Sequence, residues 1–143
     1  MSMRRNPSDK LRQDVAERAD YCCEYCLMHQ DDLVFKCQTD HIISLKHGGP
    51  TQLDNLAHSC MICNTNKGSD VGSIDLPTQV FIRFFNPRID RWHDHFELRG
   101  AEIVAKTDIG RVTVKIFQFN APERVARRTL LLAIGRYPGK AVN

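Results

Sequence analysis

The first part of the chain predicts one amphipathic helix. Leu11, Val15 and Ala19 recur at four-residue steps, so they lie along one stripe of a helix and can be buried together. Ser8 precedes this pattern and is a typical N-cap residue, because its hydroxyl can accept a hydrogen bond from the first turn. The pattern therefore predicts a helix over residues 8–20.

Three kinds of shorter element follow. The apolar runs at residues 33–37 and 41–43 predict two short strands. Residues 46–50 contain adjacent glycines and then a proline, which break both helix and strand and predict a loop. A short helix is predicted over residues 61–67, and Gly68 is expected to end it.

Alternating positions mark the second half of the chain. Residues 96–100 and 112–116 alternate apolar with polar side chains, and residues 103–106 form a weaker strand pattern. A turn at residues 108–110 separates the last two segments. We predict a small antiparallel meander with one face packed on a core.

The final predicted element is a helix over residues 121–134. Asn120 is its expected N-cap, Glu123 completes a capping box, and Pro122 lies in the first turn. Gly135 is expected to close the helix. Four residues would supply most of the apolar surface that this helix buries: Leu130, Leu131, Leu132 and Ile134.

Composition narrows the class of protein. The chain has 143 residues, 42% apolar and 26% charged, as expected of a globular domain rather than a disordered segment. It has no apolar run near the roughly 20 residues that span a bilayer. No apolar stretch follows Arg4 and Arg5, so we expect no signal peptide and a cytoplasmic location.

Thiols stay reduced in the cytoplasm, so the six cysteines indicate metal binding rather than disulfides. Cys37, in a predicted strand, is expected to be a buried apolar thiol.

Four of the cysteines form two matched pairs. Cys23 and Cys26, like Cys60 and Cys63, are separated by two residues, which lets both sulfurs of a pair reach one ion at about 2.3 Å. Two such pairs make a closed four-thiolate zinc site, which is structural. Cys22 could replace Cys23, although the resulting spacing is less usual.

A second set of polar residues lies among these cysteines. Asp40 and His41 are followed by paired glycines, then by Asn55, and then by Asn64 directly after the last cysteine. The run over residues 21–69 resembles an HNH endonuclease, a DNA-cleaving enzyme of the ββα-metal type whose scaffold is often stapled by zinc. The resemblance implies one structural zinc and one catalytic divalent ion.

The resemblance also implies a role for each of these residues. His41 would be the general base, and Asn55 would position the loop that holds this histidine in orientation. Asp40 and Asn64 would bind the catalytic ion, and their hard oxygen ligands favour Mg²⁺ or Mn²⁺. Elementary chemistry agrees, because a neutral imidazole with a pKa of about 6.5 can take a proton from water at neutral pH.

These features predict an α+β protein. Its zinc-stapled ββα-metal (HNH) core would carry an N-terminal helix and would be followed by the antiparallel meander and the last helix. We place the nuclease core at residues 1–72. Residues 73–143 would form a basic extension that packs on it.

Charge is divided unevenly between the two parts. Residues 1–72 hold 8 of the 20 basic residues and 10 of the 17 acidic ones, so residues 73–143 hold 12 and 7. Nine of those twelve bases are arginines, whose guanidinium can bind a phosphate through two hydrogen bonds. A solvated basic face would explain the charge equally well. As candidate DNA contacts we select Lys67, Arg88, Arg91, Arg124, Arg127 and Arg128.

The favoured function is a metal-dependent DNA endonuclease. The alternative is a zinc-stapled module that binds DNA without cleaving it, but such a module would not need all four of the reactive residues. One active site per chain predicts the nicking of a single strand by a monomer. Coordinated double cuts would need a homodimer, and the sequence leaves both states open.

Overall fold

The computed structural model describes residues 6–140, and the protein is α+β within that range. The helices are α1 (Asp9–Arg18), α2 (Met61–Lys67), α3 (Trp92–His95), α4 (Asp108–Phe117) and α5 (Pro122–Ala133). The strands are β1 (Gln38–His41), β2 (Leu56–Ser59), β3 (Gly72–Asp75), β4 (Val80–Arg83), β5 (Phe96–Arg99) and β6 (Glu102–Ala105). In this part of the chain, no helix has the length and apolar character needed to cross a bilayer.

The strands pair into three separate antiparallel hairpins: β1 with β2, β3 with β4, and β5 with β6. In the first hairpin, Asp40 lies opposite Ala57 and His41 lies opposite Leu56. Helix α2 follows β2 after a single residue and packs on β1. The chain therefore contains a strand–strand–helix unit of the kind that the sequence predicts.

Helix α1 forms where the apolar stripe predicts it. The Ser8 hydroxyl accepts a hydrogen bond from the Leu11 amide at 3.2 Å, as expected of an N-cap. Val15 is fully buried, and the helix packs on the first hairpin. Helix α2 likewise has its predicted bounds, with Gly68 at its C-cap.

The strand predicted over residues 33–37 is wrong. No regular strand forms there, and β1 begins at Gln38 and ends at His41 instead. Val34 and Phe35 are exposed, so this apolar run does not enter the core. Cys37 is half-buried and packs against the core from the loop before β1.

The strand predicted over residues 112–116 is also wrong, because these residues lie in α4. Thr107 caps that helix by accepting a hydrogen bond from the Gly110 amide at 3.0 Å. The predicted turn at residues 108–110 is therefore the first turn of the helix. The predicted meander reduces to the hairpin of β5 and β6, followed by a helix.

Helix α5 lies within one residue of its predicted bounds, but its cap differs. Ala121 is the N-cap, and no side chain makes a capping bond, so the capping box with Glu123 does not form. The Asn120 side chain instead bonds both the amide and the carbonyl of Ile103, at 2.9 and 2.8 Å. Gly135 follows the helix with a positive φ, as expected of its closing residue.

Of the four apolar residues that the sequence predicts to be buried on α5, only Leu131 packs against the core. Leu130 is 72% exposed and Ile134 is 68% exposed, and Leu132 is exposed as well. The residues that α5 buries instead are Arg124 and Arg128.

Aromatic side chains from both parts of the chain share one core. The ring of Tyr25 lies 5.0 Å from that of Phe117, centroid to centroid, and Phe84 meets Phe117 at 5.1 Å. Phe119 continues the cluster to Phe96 at 5.7 Å. The cysteine-rich segment and the C-terminal helices are therefore packed on each other. The boundary at residue 72 stays a prediction.

Candidate functional site

Four buried sulfur atoms form one cluster. The Sγ atoms of Cys23, Cys26, Cys60 and Cys63 all lie within 4.8 Å of one another. Those of Cys26 and Cys60 are 3.8 Å apart. Tetrahedral coordination with zinc–sulfur bonds of about 2.3 Å requires sulfurs about 3.8 Å apart. The donor set and its dimensions therefore fit a structural zinc ion, with Cys23 rather than Cys22 as the ligand.

Local backbone structure brings the two pairs together. A turn between Cys23 and Cys26 is closed by the hydrogen bond from the Leu27 amide to the Cys23 carbonyl at 2.9 Å. Cys60 is the N-cap of α2, where its sulfur accepts a hydrogen bond from the Cys63 amide at 3.4 Å. Hydrogen bonds with the neighbouring thiols, first that of Cys23, hold the pKa of Cys26 well below its ordinary value.

The interface between β1 and α2 holds the two predicted ligands of the catalytic ion. Gln38 and Asp40 lie on the same face of β1, and Asn64 and Lys67 lie one turn apart on α2. The Asn64 side chain donates to the Gln38 side chain at 2.7 Å. Lys67 donates to Asp40 Oδ1 at 3.3 Å. Asn64 therefore lies at the same strand–helix interface as Asp40, but its side chain contacts Gln38 rather than Asp40.

Asp40 is buried, and each of its carboxylate oxygens accepts a hydrogen bond from a polar side chain. Its Oδ2 atom accepts a hydrogen bond from the Tyr25 hydroxyl at 3.0 Å, in addition to the ion pair with Lys67. Burial raises the pKa of the Asp40 carboxyl, although the charge of Lys67 and the Tyr25 hydrogen bond act to lower it. A carboxylate offers about four lone-pair sites, so two donors leave capacity for a cation. The donor chemistry of Asp40 and the Asn64 amide thus fits a hard divalent ion.

His41 ends β1 and points to the opposite face from Asp40, because successive strand residues alternate. Its Nε2 atom lies 2.9 Å from the Thr51 hydroxyl. The His41 carbonyl accepts a hydrogen bond from Lys67 at 2.8 Å. Burial and the charge of Lys67 lower the pKa of the His41 imidazole below its ordinary value of 6.5. The half-buried ring is therefore neutral at pH 7 and can accept a proton.

Asn55 fixes the loop that follows β1. Its side-chain oxygen accepts from the Ile43 amide at 2.9 Å, and its nitrogen donates to the carbonyls of Ile43 and Pro50 at 3.0 and 2.9 Å. The loop needs glycine at position 49, because a Cβ there would lie 1.7 Å from the Ile43 carbonyl oxygen. Gly48 has a φ of +83°, which favours glycine. Gly49 is thus required by the close approach of this loop to Ile43, and Gly48 is favoured by its backbone conformation.

Several contacts of the site were missed in the sequence. Gln38 stands two residues before Asp40 and shares its face on β1, but residues 38–40 lay between the two predicted strands, so this signal was lost. Tyr25 and Thr51 carried none, since only the folding of the cysteine-rich segment and of the loop brings them to Asp40 and His41. Lys67 was selected as a DNA contact, whereas its partners are the Asp40 carboxylate and the His41 carbonyl.

Most of the predicted DNA contacts point inward, which corrects the sequence-based selection. Lys67 is 1% exposed and bonded to Asp40 and His41, as described above. Arg88 forms an ion pair with Glu24 and also donates to the Leu56 carbonyl at 3.2 Å. Arg124 and Arg128 are buried in α5. These basic side chains bond to acceptors inside the protein and are not free to contact DNA. Composition gives the number of charges but not which of them are buried.

Two of the selected arginines remain on the surface. Arg91 is exposed at the start of α3, and Arg127 is exposed on α5 with a carbonyl contact to Asp32 at 3.5 Å. Both can present a guanidinium to a phosphate without breaking an ion pair that the described residues form.

A known protein family matches the segment that contains the four cysteines and the β1–α2 interface. The family model described as HNH endonuclease matches residues 23–70, about a third of the chain. No curated protein and no solved structure matches the chain. The family match confirms the resemblance predicted from the motifs, and it suggests a nuclease with a DNA substrate.

Proposed function

We propose that this protein is a cytoplasmic, metal-dependent DNA endonuclease that hydrolyses phosphodiester bonds with His41 as the general base. The observation that carries the proposal is the strand–helix interface within the matched segment. There, Asp40 of β1 and Asn64 of α2 lie at the same strand–helix interface, and the neutral imidazole of His41 follows Asp40 at the end of β1, on the opposite face of the strand.

Asp40 and Asn64 would hold the catalytic Mg²⁺ or Mn²⁺ ion. When bound, such an ion polarises the scissile phosphate and neutralises charge on the leaving oxygen. Lys67 sits against the other side of Asp40 and carries its own positive charge. It would oppose the effect of burial on the pKa of Asp40, and so favour the ionised form that binds a cation.

His41 would take the proton from the attacking water. Its Nε2 atom is held by the Thr51 hydroxyl at 2.9 Å, which fixes the ring but leaves it half-exposed. Asn55 is a positioning residue, because its three backbone hydrogen bonds fix the chain directly after the histidine. The four-cysteine zinc would tie the segment before β1 to the start of α2, which supports the interface between them.

The test is a supercoiled-plasmid cleavage assay with Mg²⁺ or Mn²⁺ and an EDTA control. We expect conversion to the nicked circle with either ion and none in EDTA. The informative variant is Asn64→Ala, because removing Asp40 would leave Lys67 buried and unpaired and would unfold the site. Loss of one ligand should slow cleavage by about 100-fold, since an ion supplies several kcal/mol of charge stabilisation.

The matched control is Asn66→Ala on the same helix, whose side chain bonds the Phe117 carbonyl instead. It should cleave like the wild type. Zinc content is measured after EDTA treatment, so that loss of the structural ion is not mistaken for loss of the catalytic one. Binding of DNA without any cleavage would support the non-catalytic alternative, and cleavage that persists in EDTA would refute the metal-dependent mechanism.

DNA affinity should depend on Arg91 and Arg127. Each phosphate contact that is lost should reduce the slope of log K against log salt by about 0.9, so Arg91→Gln and Arg127→Gln are each expected to lower it by about that amount. Fluorescence anisotropy with a labelled duplex at several salt concentrations measures the slope. Leu130→Gln changes the same surface of α5 without altering charge and should leave the slope as it is. Slopes unchanged in both arginine variants would exclude these contacts.

A further inference from the structure

Helix α5 buries two positive charges where an apolar face was predicted. Arg124 is 4% exposed and Arg128 is 0% exposed. They stand four residues apart, so they lie on the same face of the helix. A buried charge is costly unless it is paired, and among the described residues no carboxylate lies within ion-pair distance of either guanidinium.

Arg124 contacts the four-cysteine cluster directly. Its Nη2 atom lies 3.1 Å from Cys63 Sγ and 3.8 Å from Cys60 Sγ. Its Nη1 atom donates to the carbonyls of Phe117 and Gln118 at 2.8 and 3.2 Å. The carbonyls satisfy hydrogen bonds but carry no net charge, so the sulfurs must supply the counter-charge.

Arg128 lies one turn further along and has neutral partners. Its Nε atom donates to the Ala101 carbonyl at 2.8 Å, and its Nη2 atom donates to the Phe119 carbonyl at 2.7 Å. Its buried Nη1 atom has no hydrogen-bond partner. The guanidinium also lies 5.8 Å from the centre of the Tyr137 ring. Tyr137 in turn donates to the carbonyl of Cys26 at 2.8 Å, so one aromatic side chain contacts both Arg128 and a cysteine of the cluster.

We propose that Arg124 and Arg128 are the counter-charges of the zinc–tetrathiolate centre, and that they bind helix α5 to the core through it. Four thiolates around Zn²⁺ carry a net charge of −2, and two guanidinium groups carry +2. The proposal rests on the structural zinc in the proposed function. It adds that the C-terminal helix belongs to the metal site, although none of its residues is a metal ligand.

The charge balance holds only while the cluster is metallated. The −2 charge of the zinc–thiolate centre would offset the two buried guanidinium groups, and they would offset it in turn. Removing either arginine should therefore weaken zinc binding, as removal of outer-shell partners generally does. Arg124 should matter more, because it alone of the two donates to a sulfur.

The experiment measures the zinc dissociation constant of the full chain by competition with a chromogenic chelator. Arg124→Met is expected to raise the constant by about 10–100-fold, and Arg128→Met by a smaller factor. The matched control is Arg99→Met, which removes an exposed charge that pairs with Glu97 on the β5–β6 hairpin, and it should bind zinc like the wild type.

A spectroscopic reading separates this role from a merely structural one. In the Co²⁺-loaded protein, the sulfur-to-metal charge-transfer band reports the electron density on the thiolates. It should shift in Arg124→Met and in Arg124→Lys, which lose the contact to sulfur, but not in Arg128→Met. If Arg124→Met cannot be recovered folded, Arg124→Lys decides, with an expected weakening of several-fold.

Two results would overturn the proposal in different ways. A wild-type chain that binds no zinc refutes the metal centre itself, and with it that part of the proposed function. A wild-type chain that binds one zinc ion, with an unchanged dissociation constant and an unchanged cobalt band in the Arg124 variants, refutes only the role of the arginines.

Discussion

Replacement of His41 by alanine is expected to slow DNA cleavage by a factor of about 10²–10⁴, the range that general-base catalysis contributes. The ring is half-buried at the end of β1, and its Nε2 atom lies within hydrogen-bond distance of the Thr51 hydroxyl. Its removal therefore opens no core cavity and breaks no ion pair. DNA binding, zinc content and thermal stability should stay near those of the wild type.

The measurement is the single-turnover rate of plasmid nicking with saturating Mg²⁺. His93→Ala is the control, because that histidine is exposed on α3. Thr51→Val keeps the size of the side chain but removes the hydroxyl, so it should lower the rate by less than the loss of the ring does. A His41→Ala variant that cleaves as fast as the wild type would show that another group takes the proton.

The pH profile gives a second reading of the same residue. Burial and the charge of Lys67 lower the pKa of His41 below 6.5, and only the neutral imidazole can act as a base. The rate should therefore rise with pH through a pKa lower than 6.5 and be level at neutral pH. In His41→Ala this limb should disappear. A wild-type limb centred above 6.5 would contradict the assignment.

Removal of zinc is expected to unfold the chain. Structural zinc contributes an apparent binding free energy of about 10–16 kcal/mol in small zinc-binding peptides, and that energy is folding energy where the site does not exist in the unfolded chain. Here the ion would tie the segment before β1 to α2 and would offset the buried arginines. We expect Cys63→Ser to lose cooperative thermal unfolding, as measured by circular dichroism.

The chain offers two matched controls for this substitution. Cys22 and Cys37 lie outside the cluster of four sulfurs, so Cys22→Ser and Cys37→Ser should keep one bound zinc ion and a cooperative transition. A Cys63→Ser protein that unfolds at the temperature of the wild type would show that the cluster is not needed for the fold.

Local spacing explains why part of the site could be predicted. Two cysteine pairs with two intervening residues specify a tetrahedral site because the distance between their sulfurs is set by a single turn of backbone. Helix α2 was predicted with its correct ends, and Gly68 could be expected to end it because a glycine C-cap acts within a few residues. The paired glycines predicted a loop, and the structure adds that Gly49 packs closely against the Ile43 carbonyl.

Periodicity failed where one segment satisfies two patterns. Positions 112, 114 and 116 alternate as in a strand, yet Ile109, Val112 and Ile116 also recur at helical spacing. The Thr107 cap and the packing of α4 on its neighbours select the helix. The spacing of apolar residues within the segment cannot distinguish a strand from a helix, because the contacts that select the helix involve residues outside the segment.

The sequence by itself therefore determined the chemistry of the site: the four thiols, the histidine beside an aspartate, and the two asparagines. Only the tertiary structure decided which charges face solvent. Arg124 and Arg128 looked like phosphate contacts, yet both are buried, and Arg124 lies against a sulfur atom about 60 residues earlier in the chain. Charge is a property of one residue, whereas the field that makes its burial tolerable comes from groups that only folding brings together.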